Sequence, residues 1–163
     1  MKTLLIFRHA KSSWKENSLT DHDRPLNKRG KVDAPRMGSL AREHDLVPDL
    51  ILASTAKRVR QTVAGFCDGS GYDGEVQFLG ELYAAGPEVY LEALAALPGD
   101  PQRVMVVGHN PGLEELLAEL TGQDEILPTA ALAQVELEIE NWPDVEDGGE
   151  GRLAGIWRPK ELG

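Results

Sequence analysis

Residues 2–9 read Lys2-Thr3-Leu4-Leu5-Ile6-Phe7-Arg8-His9, and residues 103–109 read Arg103-Val104-Met105-Val106-Val107-Gly108-His109. Each is a short unbroken apolar run, the pattern of a strand buried on both faces rather than on one. Each also ends on a histidine. Asp49-Leu50-Ile51-Leu52-Ala53 is a third run of this kind, and Val76–Leu79 reads as a fourth strand.

Helical patterns lie between these runs. Asn27 is placed to cap a helix over 28–44, with Val32, Met37, Leu40 and Ala41 turned inward. Gly30 and Pro35 weaken that helix. A second helix is expected from Ala56 to Cys67, with Gly69, Gly71 and Gly74 breaking the chain after it. Pro87 suits the first turn of a third, whose apolar face is Val89, Tyr90, Leu91, Leu94 and Leu97. A fourth begins at Pro111, with Leu113, Leu116, Leu117 and Leu120 at helical spacing.

The last part changes period. Gln134–Glu140 alternates polar and apolar residues, as a half-exposed strand does. A turn is expected over 147–151, and Leu153–Trp157 is its partner strand. Strands alternating with helices, then an antiparallel pair, predict an α/β fold with one mostly parallel sheet and an antiparallel edge. No repeat, linker or low-complexity stretch interrupts residues 1–163, so a single domain is expected.

Composition excludes several classes. The longest apolar runs fall far short of the ~18–20 residues of a membrane-spanning helix. The first residues lack a signal-peptide cleavage pattern, and a cytoplasmic protein with no membrane partner is expected. The single cysteine, Cys67, cannot form an internal disulfide or a Cys-rich zinc site and reads as a small core residue. A net charge of −10 argues against a nucleic-acid partner. Yet residues 1–62 carry 13 Lys and Arg against 7 Asp and Glu, while residues 63–163 carry 4 against 20. A basic segment in an acidic protein suits either a solvated helix face or a local site for an anionic group.

The placement of particular cations favours the anion site. Arg8-His9 and His109 end buried strands, and Arg58 lies just past the 49–53 strand. In open α/β sheets that edge is where ligands bind. Arginine offers forked donors that match phosphate oxygens, and a helix starting at Pro111-Gly112 adds backbone N–H groups. Such a set suits phosphoryl transfer by a neutral imidazole, with the other cations stabilising the transferring group. Asp21-His22-Asp23 is a poor metal set, because three adjacent residues rarely converge on one ion. His44 reads as a partner for a helix C-terminus, and Trp14 as loop packing, with contact to substrate as the alternative.

These residues carry a resemblance. Arg8-His9-Ala10-Lys11-Ser12 resembles the Arg-His-Gly signature of the histidine phosphatase (phosphoglycerate-mutase-like) superfamily. Residues 53–62, with Arg58 three positions before Gln61-Thr62, are similar to its second motif, and Gly108-His109-Asn110-Pro111 to its third. Asp23-Arg24-Pro25-Leu26, Glu81-Leu82-Tyr83 and the ending with Trp157, Pro159 and Lys160 resemble the SixA-like phosphohistidine phosphatase branch. Ala10 departs from the usual glycine, and Lys15 stands where mutase-type members carry Asn, which speaks against mutase activity.

The resemblance implies a phosphoglycerate-mutase-like three-layer fold with helices on both faces of the sheet. It implies His9 as nucleophile, Arg8, Arg58 and His109 as the phosphate pocket, and Ser12 and the Asn110 backbone as further donors. Glu81 is the candidate leaving-group acid, with a solvated surface glutamate as the equal alternative. Lys11 is a further candidate for meeting an anionic substrate. No cofactor or metal is called for. The expected activity is a metal-independent phosphohydrolase acting on phosphohistidine of a protein. The alternatives are a small-molecule phosphomonoesterase and a catalytically idle phosphate-binding module. A monomer is the simplest expectation.

Overall fold

The computed structural model describes residues 1–147 and 151–162. β1 (Lys2–Arg8) lies inside a six-stranded sheet with β2 (Leu50–Ser54), β3 (Val76–Leu79), β4 (Arg103–Gly108), β5 (Leu132–Leu137) and β6 (Gly151–Trp157), in the order β3-β2-β4-β1-β5-β6. β3, β2, β4 and β1 are parallel, and β5 and β6 form the antiparallel edge. Leu4, Leu5, Ile6 and Phe7 have no exposed surface, which accounts for the unbroken apolar run. Burying each stabilises the fold by about 1.5–3 kcal/mol.

Alternate residues feed two cores. Leu4, Ile6, Val104 and Val106 pack with α3 (Pro87–Ala95) and α4 (Gly112–Thr121). Leu5, Phe7, Met105 and Val107 pack with α1 (Lys28–Glu43) and α2 (Lys57–Ser70). The three layers follow from handedness. The chain steps outward from β1 to β2 to β3, then turns back to β4. Right-handed crossovers must therefore place α3 on the face opposite α1 and α2. β1 and β4 are neighbours whose following helices lie on opposite faces, and that divergence opens a crevice at their carboxyl ends.

Several expected details are corrected. Val32 is exposed rather than inward; Asp33 takes the buried position beside it and pairs with Arg29. α1 runs unbroken through Gly30 and Pro35 because it is packed tightly on α2. A Cβ on Gly38 would lie 2.2 Å from the Phe66 carbonyl oxygen, and one on Gly69 2.0 Å from that of Pro35. Gly69 is thus a contact point inside α2, and the left-handed Gly71 ends the helix. Cys67 is half-buried against the second core, where burial pushes its thiol pKa up.

The alternating strand is displaced to Leu132–Leu137, with a bulge at Gln134/Val135. The unexpected 3-10 helix Trp142–Asp147 seals the first core, its Trp142 indole donating to the Pro101 carbonyl (2.7 Å). Residues 148–150 of the expected turn lie outside the described residues. His44 is the C-cap of α1, as its position suggested, and its ring also meets Trp157 (5.1 Å).

Candidate active site

The carboxyl ends of β1, β2 and β4 bring His9, Arg58 and His109 together beside Arg8. The two imidazoles stand 5.3 Å apart between centroids, and both residues are 7% exposed. His9 Nδ1 lies 2.7 Å from the Ala10 carbonyl oxygen. A carbonyl only accepts, so Nδ1 carries the proton and Nε2 keeps its lone pair. The loop bearing that carbonyl is fixed in turn, because the Ala10 N–H donates to Thr62 Oγ1 (3.0 Å) and Thr62 donates to the Arg58 carbonyl (2.6 Å). Burial pushes the His9 pKa down to about 3 against the pull of the Ala10 carbonyl, with His109, Arg58 and Arg8 adding to the fall. The ring is therefore neutral near pH 7.

His109 is held at both nitrogens. Arg58 Nη2 donates to Nδ1 (3.4 Å), which assigns the proton to Nε2, and Nε2–H donates to Ser54 Oγ (2.7 Å). Ser54 also accepts from the Ala56 N–H (3.2 Å). Burial first, then Arg58, pushes the His109 pKa down to about 4.

Asp21 organises the cations. Arg58 donates through Nη1 to the Asp21 carbonyl (2.7 Å) and through Nη2 to its carboxylate (3.1 Å). Arg24 donates to the same carboxylate (3.2 Å), and the Tyr83 hydroxyl donates to it as well. Those donors, Tyr83 first, hold the Asp21 pKa down at about 2. Tyr83 also stands edge-on to His109 (5.4 Å) and to His22 (5.0 Å). Asp21, Ser54, Thr62 and Tyr83 are site residues that the sequence reading left without a role. Ser54, Thr62 and Tyr83 lay inside the stretches that carry the resemblance, and Asp21 was read only as a weak metal ligand. Among the described residues no three His, Cys, Asp or Glu side chains gather to hold a metal.

Arg8 is anchored from far along the chain, donating to the Leu127 carbonyl (3.0 Å). Burial lowers its pKa, partly offset by Glu114. Asn110 donates to that same carbonyl (2.8 Å) and caps α4 by accepting from the Glu114 N–H (3.2 Å), so its side chain is engaged structurally. Glu114 closes the loop by accepting from the Leu127 N–H (2.8 Å).

The remaining candidates are spread around this centre. Ser12 accepts from Arg24 (2.7 Å), so its hydroxyl braces the loop. Trp14 is 72% exposed, covered on one ring face by the Arg24 guanidinium (3.4 Å) rather than packed into the loop. Glu81, in the 3-10 helix Gly80–Leu82, is exposed and holds no hydrogen bond among the described residues; Tyr83 is the member of that stretch that meets His109. Lys11 is exposed two residues past His9.

The chain is similar to known proteins in sequence and fold. The family model for the histidine phosphatase superfamily (branch 1) matches residues 4–83. An uncharacterized protein of Mycobacterium tuberculosis is 34% identical over 152 residues, covering 86% of this chain and 92% of its own length. A solved structure from Agrobacterium tumefaciens, assigned to the phosphohistidine phosphatase SixA, is 32% identical over 97% of this chain and 98% of its own, with a TM-score of 0.83. The protein histidine phosphatase SixA complexed with tungstate shares the fold at 24% identity, 99% coverage of both chains and a TM-score of 0.85.

Proposed function

This chain belongs to branch 1 of the histidine phosphatase superfamily, and from that premise we propose that it is a metal-independent phosphohydrolase acting on protein phosphohistidine. The observation that carries the reading is the His9 ring. Its Nδ1–H is tied to the Ala10 carbonyl, its Nε2 lone pair is left for attack, and burial keeps it unprotonated.

In this mechanism His9 Nε2 attacks phosphorus in line. A new Nε2–P bond forms as the substrate N–P bond breaks, and the leaving imidazole takes up a proton. Water then attacks phosphorus, the Nε2–P bond breaks, and inorganic phosphate leaves. Arg8 and Arg58 neutralise the equatorial oxygens, with Asp21 holding Arg58 in orientation. His109 donates toward the phosphate through Nδ1 once that nitrogen takes up a proton from water, the Nε2–H remaining on Ser54 Oγ and the phosphate charge stabilising the resulting imidazolium.

Two features support a phosphohistidine substrate. Glu81 has no partner among the described residues and is exposed, and an imidazole leaving group, with a conjugate-acid pKa of ~6.5, needs little help from an enzyme acid. Among the described residues, the connections at this sheet edge add only the short 3-10 helices Asp21–Asp23 and Gly80–Leu82 and the single Ser12–Leu26 bridge, less than a separate lid over a small ligand requires. An open site admits a protein side chain and desolvates a small phosphate ester poorly.

The test is phosphate release from a histidine-phosphorylated protein by wild type and His9→Ala, with and without EDTA. Release that requires His9 and ignores EDTA is expected. Release by wild type from phosphomonoesters alone transfers the assignment to small esters. Retained phosphate binding without turnover marks an idle module.

A further inference from the structure

A cleft of about 200 Å3 opens beside the nucleophile. Lys11, Arg29 and Lys160 stand around it, with Pro128, Thr129 and Pro159 as its walls. Its position relative to the site is fixed by the backbone: Lys11 is two residues past His9, and Thr129 precedes Ala130, whose N–H donates to the His9 carbonyl (3.0 Å).

Three cations in one cleft are unusual in a chain of net charge −10. Asp33 is the one acid among the residues lining it, and its Oδ2 accepts from Arg29 Nε (3.0 Å), so the guanidinium is anchored by its inner nitrogen. Lys11 and Lys160 form no ion pair among the described residues. On the other side of the 124–129 segment the sign reverses. There Glu114, Glu115, Asp124 and Glu125 line a separate hollow of about 350 Å3. The 124–129 segment thus contributes to one hollow rich in negative charge and one rich in positive charge.

We infer that the cleft takes an acidic stretch of the phosphorylated protein, seating an Asp or Glu side chain that lies near the phosphohistidine. This rests on the protein-phosphohistidine reading and names the sequence character that reading leaves open. The cleft is too small for a folded element and large enough for one or two side chains. The acidic hollow lined by Glu114, Glu115, Asp124 and Glu125 repels an acidic partner, so the three cations also direct its approach.

The experiment uses two histidine-phosphorylated peptides of equal length, one with Glu and one with Lys flanking the phosphohistidine, and phosphoramidate, which has no flanks. Wild type is expected to favour the Glu peptide by about tenfold in kcat/KM at low salt, a preference that shrinks with added NaCl. Lys160→Glu, on the wall farthest in sequence from His9, is expected to abolish the preference while phosphoramidate turnover changes less than about twofold. Equal rates on both peptides in wild type overturn the inference and leave the proposed function standing. A preference that survives both Lys160→Glu and high salt removes it from this cleft. Hydrolysis of phosphoramidate but of neither peptide overturns the protein-substrate reading and the inference with it.

Discussion

Keeping His9 neutral inside the fold has a thermodynamic consequence that measurement of stability reaches without any substrate. The unfolded chain binds a proton at His9 near pH 6.5. The folded chain resists it until about pH 3. Between those values the unfolded state holds more protons, so stability is complete above the unfolded pKa and falls as pH falls. At pH 5 the difference for this one group is about 2 kcal/mol, a sizeable part of the ~5–15 kcal/mol that holds a typical domain together. His9→Asn removes the titrating ring and keeps an amide able to meet the Ala10 carbonyl. Urea unfolding of wild type and His9→Asn at pH 8 and pH 5 reads the effect directly. Wild type is expected to lose about 2 kcal/mol more than the variant between the two pH values. Equal losses in the two proteins would mean that folded His9 is protonated at pH 5, and the claim that burial lowers its pKa would fail.

Arg58→Ala is expected to lower kcat by about 10²–10³, with a much smaller change in the urea midpoint; unchanged turnover removes Arg58 from the site. Glu81→Gln is expected to leave phosphohistidine hydrolysis within about twofold and to slow any phosphomonoester hydrolysis more, as comparison of the two substrates would show. Gly38→Ala places a methyl 2.2 Å from the Phe66 carbonyl oxygen, and forcing α1 from α2 is expected to cost about 1–3 kcal/mol in denaturant unfolding. A neutral result there would contradict the close approach of the two helices.

Strand identity was legible wherever burial is two-sided, because β1, β2 and β4 leave an apolar run that needs no tertiary information to read. The strand-end histidines and Arg58 followed, since parallel strands deliver their carboxyl ends to one edge. Val32 misled because helical periodicity does not show which arc faces inward when a buried acid such as Asp33 has an ion-pair partner four residues away. Gly69 misled for a related reason: a glycine that ends a helix and one that admits a neighbouring helix look alike in one chain. Asp21 and Tyr83 were hidden because their meeting spans 62 residues and depends on where a loop lands. Ser54 had a subtler signal. It sits at the end of β2, on the same edge as the histidines, but an alcohol at a strand end announces nothing until a ring nitrogen is found 2.7 Å away.

The order of synthesis meets this topology awkwardly. β1 is the first strand to leave the ribosome, yet its two neighbours are β4, beginning at Arg103, and β5, ending at Leu137. Arg8 likewise waits for its acceptor, the carbonyl of Leu127, 119 residues away. The nucleophile strand must therefore remain unpaired until β4 has emerged, its apolar side chains open to holdases or to misassociation. No nascent fragment that stops before β4 can flank His9 with His109. The phosphatase chemistry proposed for this chain consequently requires synthesis to continue past His109, and a product terminated before β4 is inert rather than unregulated.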